Sequence, residues 1–258
     1  MEKSLAVSHL IGQSPMHPIP VFLSHSYHHF SGHCEINIDK VSILYTINSM
    51  DTLESLPYFN KDTIARVLNK HNRNLDKKVQ ALLDKKDLIP LKRGFYTTRI
   101  YWLQENDKKG YLEYIANILK IPSYISLEYV LCLNKAIPEG INAITSITRK
   151  NPIIYEESLG SFIYQNMKED LFIGYTLKKY KNYDIKIASL AKALFDYLYL
   201  KTNIRLNLKE EMEEGLRINW SVFEQKDIEE FRMYVKISNS QKMERILDIL
   251  YELIDSNI

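Results

Sequence analysis

The chain has 258 residues, of which 45% are hydrophobic, and its formal net charge is +2. A domain takes roughly 150 residues, so this length favours two domains. The two cysteines, Cys34 and Cys132, are too few for a disulfide framework and lack the C-x-x-C spacing typical of zinc and redox sites.

The sequence carries no membrane or secretion signal. Its best apolar run, Ile187 to Leu200, is interrupted by Lys192 and Asp196, whereas a membrane helix needs roughly 18 apolar residues in succession. Near the start, Lys3 is followed by Pro15, Pro18 and Pro20, which break any apolar core of a signal peptide. We therefore expect a soluble cytoplasmic protein with no membrane partner.

Residues 1–48 form a poorly patterned leader with neither helical nor strand periodicity. It holds six of the seven histidines. The candidate metal ligands in it are His25, His28, His29, His33 and Cys34. Their spacing matches no standard pair of zinc-ligand arms, so a solvated histidine-rich leader is the preferred interpretation. An alternative is that Met50 is the natural start, because the recognisable pattern begins there.

Three helices are predicted between residues 49 and 84. The first, Ser49 to Leu56, stops at Pro57, and Asn60 is then a suitable N-cap for a second helix at Lys61 to Leu68. In the third helix, apolar residues recur at i, i+4, i+7 and i+8, which marks a buried stripe. These residues are Leu75, Val79, Leu82 and Leu83.

A short hairpin is predicted directly after the third helix. Its strands are Leu88 to Leu91 and Phe95 to Thr98, and the turn Lys92-Arg93-Gly94 joins them. Glycine supplies the positive φ that such a turn requires. Helix, turn, helix and basic hairpin in this order are typical of a winged helix-turn-helix, so residues 49–100 are predicted to be a DNA-binding domain.

The charge distribution supports this prediction. Residues 61–99 hold eleven basic and four acidic residues, a net charge of +7, whereas residues 205–255 hold eight basic and twelve acidic ones. At about 100° per residue, the polar face of the third helix lies opposite its apolar stripe. Arginine and asparagine suit guanine and adenine edges, and lysines suit phosphates. The predicted DNA-binding residues are Arg73, Asn74, Lys77, Lys78, Gln80, Lys92 and Arg93.

Residues 101–258 are predicted to form a mixed α/β domain with a helical tail. Glu105 to Lys109 is expected to be a charged connector. Helices are expected at Tyr111 to Leu119, Ser126 to Asn134 and Ile187 to Leu198, and in the tail around Ile246 to Leu253. Strands are expected at Ala143 to Thr148, Ser161 to Gln165 and Leu171 to Leu177, with a loop at Lys178 to Tyr183. The predicted class is α+β, mostly helical.

Four stretches of residues 50–202 together resemble the AbiEi-type abortive-infection antitoxins. They are the hairpin Leu88 to Tyr96; Tyr124 to Glu128 with Leu131 and Ile137-Pro138; Ala143 to Thr148 with Gly160 to Tyr164 and Leu171 to Gly174; and Ala188 to Asp196. The last is similar to the family's "Ala-x-x-Glu-Lys-Ala-Leu-x-Asp" helix, but Ala191 stands where the family usually has glutamate. Any role of that carboxylate is therefore absent here.

The resemblance implies a function in two parts. The winged domain would repress its own operon by binding inverted repeats in the promoter, and the C-terminal domain would counter a co-encoded nucleotidyltransferase-like toxin, directly or indirectly. Ser126, Leu127, Leu131 and Leu194 fall on apolar helical stripes and are expected in the core. Lys192 and Asp196, at i and i+4, are expected to form a surface ion pair.

Enzymatic readings are weaker. The sequence has no glycine-rich phosphate loop, H-E-x-x-H, nucleophile elbow or Cys-His pair in a family context. Asp170, Asp184 and Lys186 could form the carboxylate and lysine set of a metal-dependent nuclease, a short pattern that is common by chance. A second alternative is a protein-binding module in which the acidic tail and the 18 tyrosines form the interface. The preferred prediction is a non-enzymatic regulator without cofactor or metal.

Overall fold

The computed structural model describes residues 50–138, 140, 143–201 and 208–255. The predictions for the leader, including its histidine cluster, lie outside these residues. The described chain is α+β, with more helix than strand and a mixed β-sheet, which confirms the predicted class. None of its helices combines the length and apolar character needed to cross a bilayer.

The first described segment is built from three helices and a three-stranded sheet. Residues 50–54 form α1. The next elements are β1 (Phe59–Asn60), α2 (Lys61–Leu68), α3 (Asn72–Asp84), β2 (Leu88–Lys92) and β3 (Phe95–Thr98). The strands are antiparallel in the order β1-β3-β2. The predicted cap is confirmed, since the backbone N–H of Thr63 donates to Asn60 Oδ1 at 2.9 Å.

The remaining described residues form a larger α/β unit. Its helices are α4 (Arg99–Gln104), α5 (Lys108–Leu119), α6 (Leu127–Leu133), α7 (Leu190–Leu200), α8 (Leu208–Glu210), α9 (Gln225–Ser238) and α10 (Gln241–Asp255). Its strands are β4 (Ser123–Ile125), β5 (Ala143–Thr148), β6 (Ile153–Glu157), β7 (Gly160–Asn166), β8 (Tyr175–Tyr180) and β9 (Tyr183–Ala188). Short non-α turns occur at Glu169–Leu171, Glu211–Gly215 and Trp220–Val222.

The six strands form one mixed sheet in the order β6-β7-β5-β4-β9-β8. The pairs β5·β7 and β4·β9 are parallel, and the other neighbours are antiparallel. The predicted strand at Leu171 to Leu177 is correct only from Tyr175, and the predicted loop at Lys178 to Tyr183 is correct only at the turn between Tyr180 and Tyr183. Glu169–Leu171 is a 3-10 turn, and Tyr175–Tyr180 pairs with Tyr183–Ala188 as a hairpin.

Two hydrophobic clusters hold the fold together. The smaller cluster includes Leu53, Ile64, Val79 and Leu88 and lies wholly within residues 50–96. The larger cluster fills the rest of the molecule and also takes in Leu91 from β2. The hairpin therefore belongs to the cores of both units, one through Leu88 and the other through Leu91.

Candidate nucleic-acid interface

Helix α3 turns its apolar stripe inward and its polar face to solvent. Leu75, Val79 and Leu82 are buried, as their spacing predicts. Of the predicted DNA-binding residues, Arg73, Asn74, Lys77 and Gln80 are exposed. Lys78 is half-buried at the edge of the exposed face.

Most cations of this region have no acidic partner. Of the eleven basic residues between 61 and 99, only Lys61 forms an ion pair with a described residue, Asp76. Gln80 is held within α3, where its Nε2 donates to Asp84 Oδ1 at 2.8 Å. No ion pair joins Arg73 or Lys77 to a described carboxylate, so both cations remain available to a polyanion.

Hydrogen bonds join the hairpin turn to α2 and, through α2, to α3. Gly94 adopts a φ of +79°, as the turn requires, and its carbonyl accepts from the Lys61 backbone N–H at 3.2 Å. The Lys61 side chain reaches Asp76 on α3. Lys61 therefore connects the turn to α3, and Arg93 beside Gly94 is exposed.

Lys92 is placed differently from the prediction. Its Nζ donates to the backbone oxygen of Leu119 at 2.5 Å and lies 4.3 Å from the centre of the Phe95 ring. Burial lowers its pKa, and the neighbouring lysines Lys120 and Lys150 lower it further. The assignment of Lys92 to a phosphate is thus corrected: its ammonium group caps the C-terminal end of α5 instead.

Other contacts join the two units beside Lys92. The Tyr111 hydroxyl donates to the backbone oxygen of Pro57 at 2.8 Å. The Tyr58 ring lies 6.2 Å from that of Phe95 and 6.1 Å from that of Tyr114. This partly buried aromatic contact holds the hairpin against α5.

The motif residues of the larger unit meet in a buried polar network. Asp196 accepts hydrogen bonds from the Tyr124 hydroxyl at 3.0 Å and from Ser126 Oγ at 2.7 Å. Its other oxygen lies 2.5 Å from Lys192 Nζ, and both side chains of that pair have an exposure of 0%. The prediction of a surface ion pair is therefore wrong, because α6, α9 and β9 pack against α7.

Burial has the expected electrostatic effect on this pair. It raises the pKa of Asp196 and lowers that of Lys192, and the contact between the two groups opposes both shifts. The Lys192 ammonium also lies 4.8 Å from the Phe195 ring and 5.0 Å from the Tyr234 ring. A group so enclosed can stabilise the fold but cannot reach a substrate. Ser126, Leu127, Leu131 and Leu194 are buried, as predicted.

The residues of the nuclease alternative are not brought together. Asp184 forms an ion pair with Lys179 at 2.7 Å, Lys186 Nζ lies 5.4 Å from the Tyr175 ring, and Asp170 belongs to the separate turn at Glu169–Leu171. No hydrogen bond or ion pair joins any two of the three. Across the described ranges, no group of three or more His, Cys, Asp or Glu side chains is arranged to hold a metal ion.

Two features of the structure were not predicted from the sequence. Asp76 was counted only as a charge, although its helical position places it about 60° from Arg73, at the edge of the exposed face. Glu105 was assigned to a charged connector, but it is 6% exposed and accepts from the Tyr180 hydroxyl and from Lys181 Nζ, each at 2.5 Å. The buried carboxylate carries no periodic signal, because its donors lie 75 and 76 residues away.

Neither a family model nor a curated protein sequence matches this chain. The case for a function therefore depends on the geometry and on the residues of the described surface.

Proposed function

We propose that this protein is a DNA-binding transcriptional autoregulator whose first unit is a winged helix-turn-helix. The observation that carries the proposal is the exposed face of α3, on which Arg73 and Lys77 stand without acidic partners among the described residues. The elements α1, β1, α2, α3, β2 and β3 follow in the order of that domain. An α-helix fits the major groove, and the hairpin beside it supplies phosphate contacts.

Five of the predicted residues then have a defined task. Arg73 and Asn74, at the start of α3, contact base edges, because arginine and asparagine make bidentate contacts with guanine and adenine. Gln80 reads a base further along the helix. Lys77 and Arg93 contact phosphates and carry most of the salt-dependent affinity. Lys92 has no direct role, since it holds the hairpin to α5.

The concave surface between α2 and α3 supports this orientation. It is lined by Asn69, Lys70, His71, Asn72, Arg73 and Asn74. His71 occupies the N-cap of α3 and makes no side-chain capping bond, so backbone N–H groups of the first turn remain open to an acceptor. A DNA phosphate meets such N–H groups and the positive end of the helix dipole.

The antitoxin part of the proposal rests on the resemblance to the AbiEi-type family. Residues from two of its motifs, Tyr124, Ser126, Lys192 and Asp196, meet in one buried network, as a shared structural unit would require. Ala191 is fully buried, so a glutamate in this place would bury an additional charge. We propose that this unit opposes a nucleotidyltransferase-like toxin, directly or through the operon.

The DNA-binding proposal is tested by fluorescence anisotropy with duplexes tiling the region upstream of the gene. The full chain is expected to prefer one of these duplexes to a shuffled duplex of equal composition. Arg73→Ala should reduce that preference by roughly 5- to 150-fold, the equivalent of the 1–3 kcal/mol of a base contact. Arg232→Ala is the matched control, because Arg232 is an exposed arginine on the distant helix α9.

Three results would decide against this proposal. Equal binding of the upstream and shuffled duplexes would remove sequence recognition. Equal effects of the two arginine variants would remove α3 from the interface. Failure of the full chain to bind any duplex at low salt would leave the protein-binding alternative as the better account.

The antitoxin activity has its own test, namely growth of cells that express a co-encoded nucleotidyltransferase-like protein with and without this chain. Rescue of growth is expected from the wild type. Rescue by Arg73→Ala as well would show that the second unit opposes the toxin directly, and loss of rescue in that variant would show that the chain acts through the operon. No rescue by the wild type would contradict the antitoxin proposal and leave the DNA-binding proposal untouched.

A further inference from the structure

A carboxylate lies at the edge of the exposed α3 face, where it meets Lys61 of α2. In an α-helix with about 100° between residues, Asp76 lies about 40° from Gln80, 60° from Arg73 and 100° from Lys77. It is therefore a neighbour of Gln80 and Arg73, two of the side chains proposed to contact DNA. A carboxylate here is repelled by phosphates, so its presence on a DNA-binding face needs a reason.

Asp76 already has a donor, supplied by another helix. The Lys61 side chain, at the first position of α2, forms an ion pair with Asp76 Oδ1. Both groups are open to solvent, with side-chain exposures of 43% for Lys61 and 58% for Asp76. The hydrogen bond to Asp76 raises the pKa of Lys61, so the lysine stays charged.

This pair can be opened at little cost. An ion pair between exposed side chains contributes about 0–1 kcal/mol to stability, because water and salt screen it. A carboxylate that enters the major groove finds another donor there, since it accepts well from the N4 amino group of cytosine. The Lys61 backbone bonds to Gly94, the residue after Arg93, so the released Lys61 ammonium remains near the hairpin turn, where the phosphate backbone is expected.

We propose that Asp76 is a specificity determinant, which exchanges its partner Lys61 for the amino group of a cytosine when α3 enters the operator. Lys61 then moves to a DNA phosphate. Where no cytosine stands opposite Asp76, the pair stays closed and the complex has one phosphate contact fewer. The inference rests on the proposed DNA-binding function.

The exchange predicts opposite behaviour for the two partners. Asp76→Asn frees Lys61 on every sequence, so affinity for the shuffled duplex should rise and its salt dependence should steepen by about one unit of log–log slope. The preference for the specific duplex should fall about tenfold, within the range of one lost base contact. Lys61→Met should weaken binding to the specific duplex and flatten the salt dependence of that binding. It should leave binding to the shuffled duplex nearly unchanged.

Asp62→Asn is the matched control. Asp62 is exposed at the second position of α2 and forms no ion pair with a described residue, so this variant changes net charge by the same amount as Asp76→Asn. It should strengthen binding to both duplexes equally. A further readout locates the contact: when each C·G pair of the specific duplex is replaced by T·A, one position should cost affinity in the wild type and not in Asp76→Asn.

The outcomes separate this inference from the proposal beneath it. One outcome is that the wild type and Arg73→Ala behave as proposed while Asp76→Asn and Asp62→Asn show the same preference for the specific over the shuffled duplex. In that case Asp76 acts only through its charge, and the proposed exchange of partners is wrong. If the wild type shows no preference for any upstream duplex, the DNA-binding function itself fails. Circular dichroism and thermal unfolding of each variant show whether the fold is retained.

Discussion

The buried pair Lys192–Asp196 gives the sharpest stability prediction. Lys192→Met removes the ammonium group and keeps most of the side-chain length. Asp196, with an exposure of 0%, then keeps only the hydroxyl donors of Tyr124 and Ser126. Removing one partner of a buried ion pair costs about 3–5 kcal/mol, because the remaining charge is desolvated and uncompensated. This is a large part of the roughly 5–15 kcal/mol that stabilise a domain.

A double variant separates the charge from the packing. In Lys192→Met with Asp196→Asn, no buried charge remains, and the asparagine side-chain oxygen can still accept from Tyr124. Replacing both members of such a pair costs far less than removing one. We therefore expect the double variant to recover more than half of the stability that Lys192→Met loses.

The measurement is urea unfolding at neutral pH, followed by circular dichroism and tryptophan fluorescence. Lys226→Met is the control, since Lys226 and Glu224 form an exposed pair at 2.6 Å that is worth about 0–1 kcal/mol. If Lys192→Met destabilises no more than Lys226→Met, or if the double variant is less stable than the single one, the reasoning about burial is refuted.

Three further predictions follow from single contacts. Lys92→Met should change DNA affinity by no more than about twofold from the wild type. It should lower the free energy of unfolding by about 1.5–3 kcal/mol, the range for a hydrogen bond from a charged group. A large loss of affinity at unchanged stability would show that Lys92 contacts DNA. Gly174→Ala should lower the midpoint of thermal unfolding more than Gly94→Ala does. Both glycines have positive φ, but only at Gly174 does an added Cβ meet other atoms, the nearest at 2.2 Å. Equal decreases would show that the surrounding atoms move aside. Burial would raise the pKa of Glu105, but hydrogen bonds from Lys181 and Tyr180 lower it below the ordinary value. The stabilisation that this carboxylate gives the fold is therefore present above about pH 4.5 and is lost as the pH falls through the lower pKa of the folded state. Glu105→Gln should flatten the acid limb of the curve of stability against pH, and an unchanged limb would contradict this reasoning.

The elements with strong local patterns were the predictable ones. Three features depend on residues only a few positions apart, and the structure contains each of them. They are the apolar stripe of α3, the Asn60 cap of α2 and the Gly94 turn. The exposed positions of Arg73 and Lys77 follow from the same periodicity. Local information therefore sufficed for the surface that carries the proposed function.

Features that depend on distant contacts were missed. Strand β8 contains Lys178 and Lys179, which resemble a solvated loop until β9 pairs with them. The pair Lys192–Asp196 has the i, i+4 spacing typical of a surface ion pair, but it is buried because α6, α9 and β9 pack against α7. Spacing fixes which groups can meet along a helix, but not what covers them.

The position of Lys92 follows from how the two units are joined. A basic residue in a hairpin turn is usually free to contact phosphate, and the sequence supports that expectation. Here Leu91, the residue before it, is fully buried in the larger cluster, so the end of β2 is drawn against α5 and the Lys92 side chain meets the Leu119 carbonyl. The hairpin therefore loses one candidate phosphate contact and gains a fixed orientation. Because the second unit holds the hairpin, and Lys61 connects the hairpin to α3, changes in the packing of the second unit would alter the angle at which α3 and Arg93 meet a duplex.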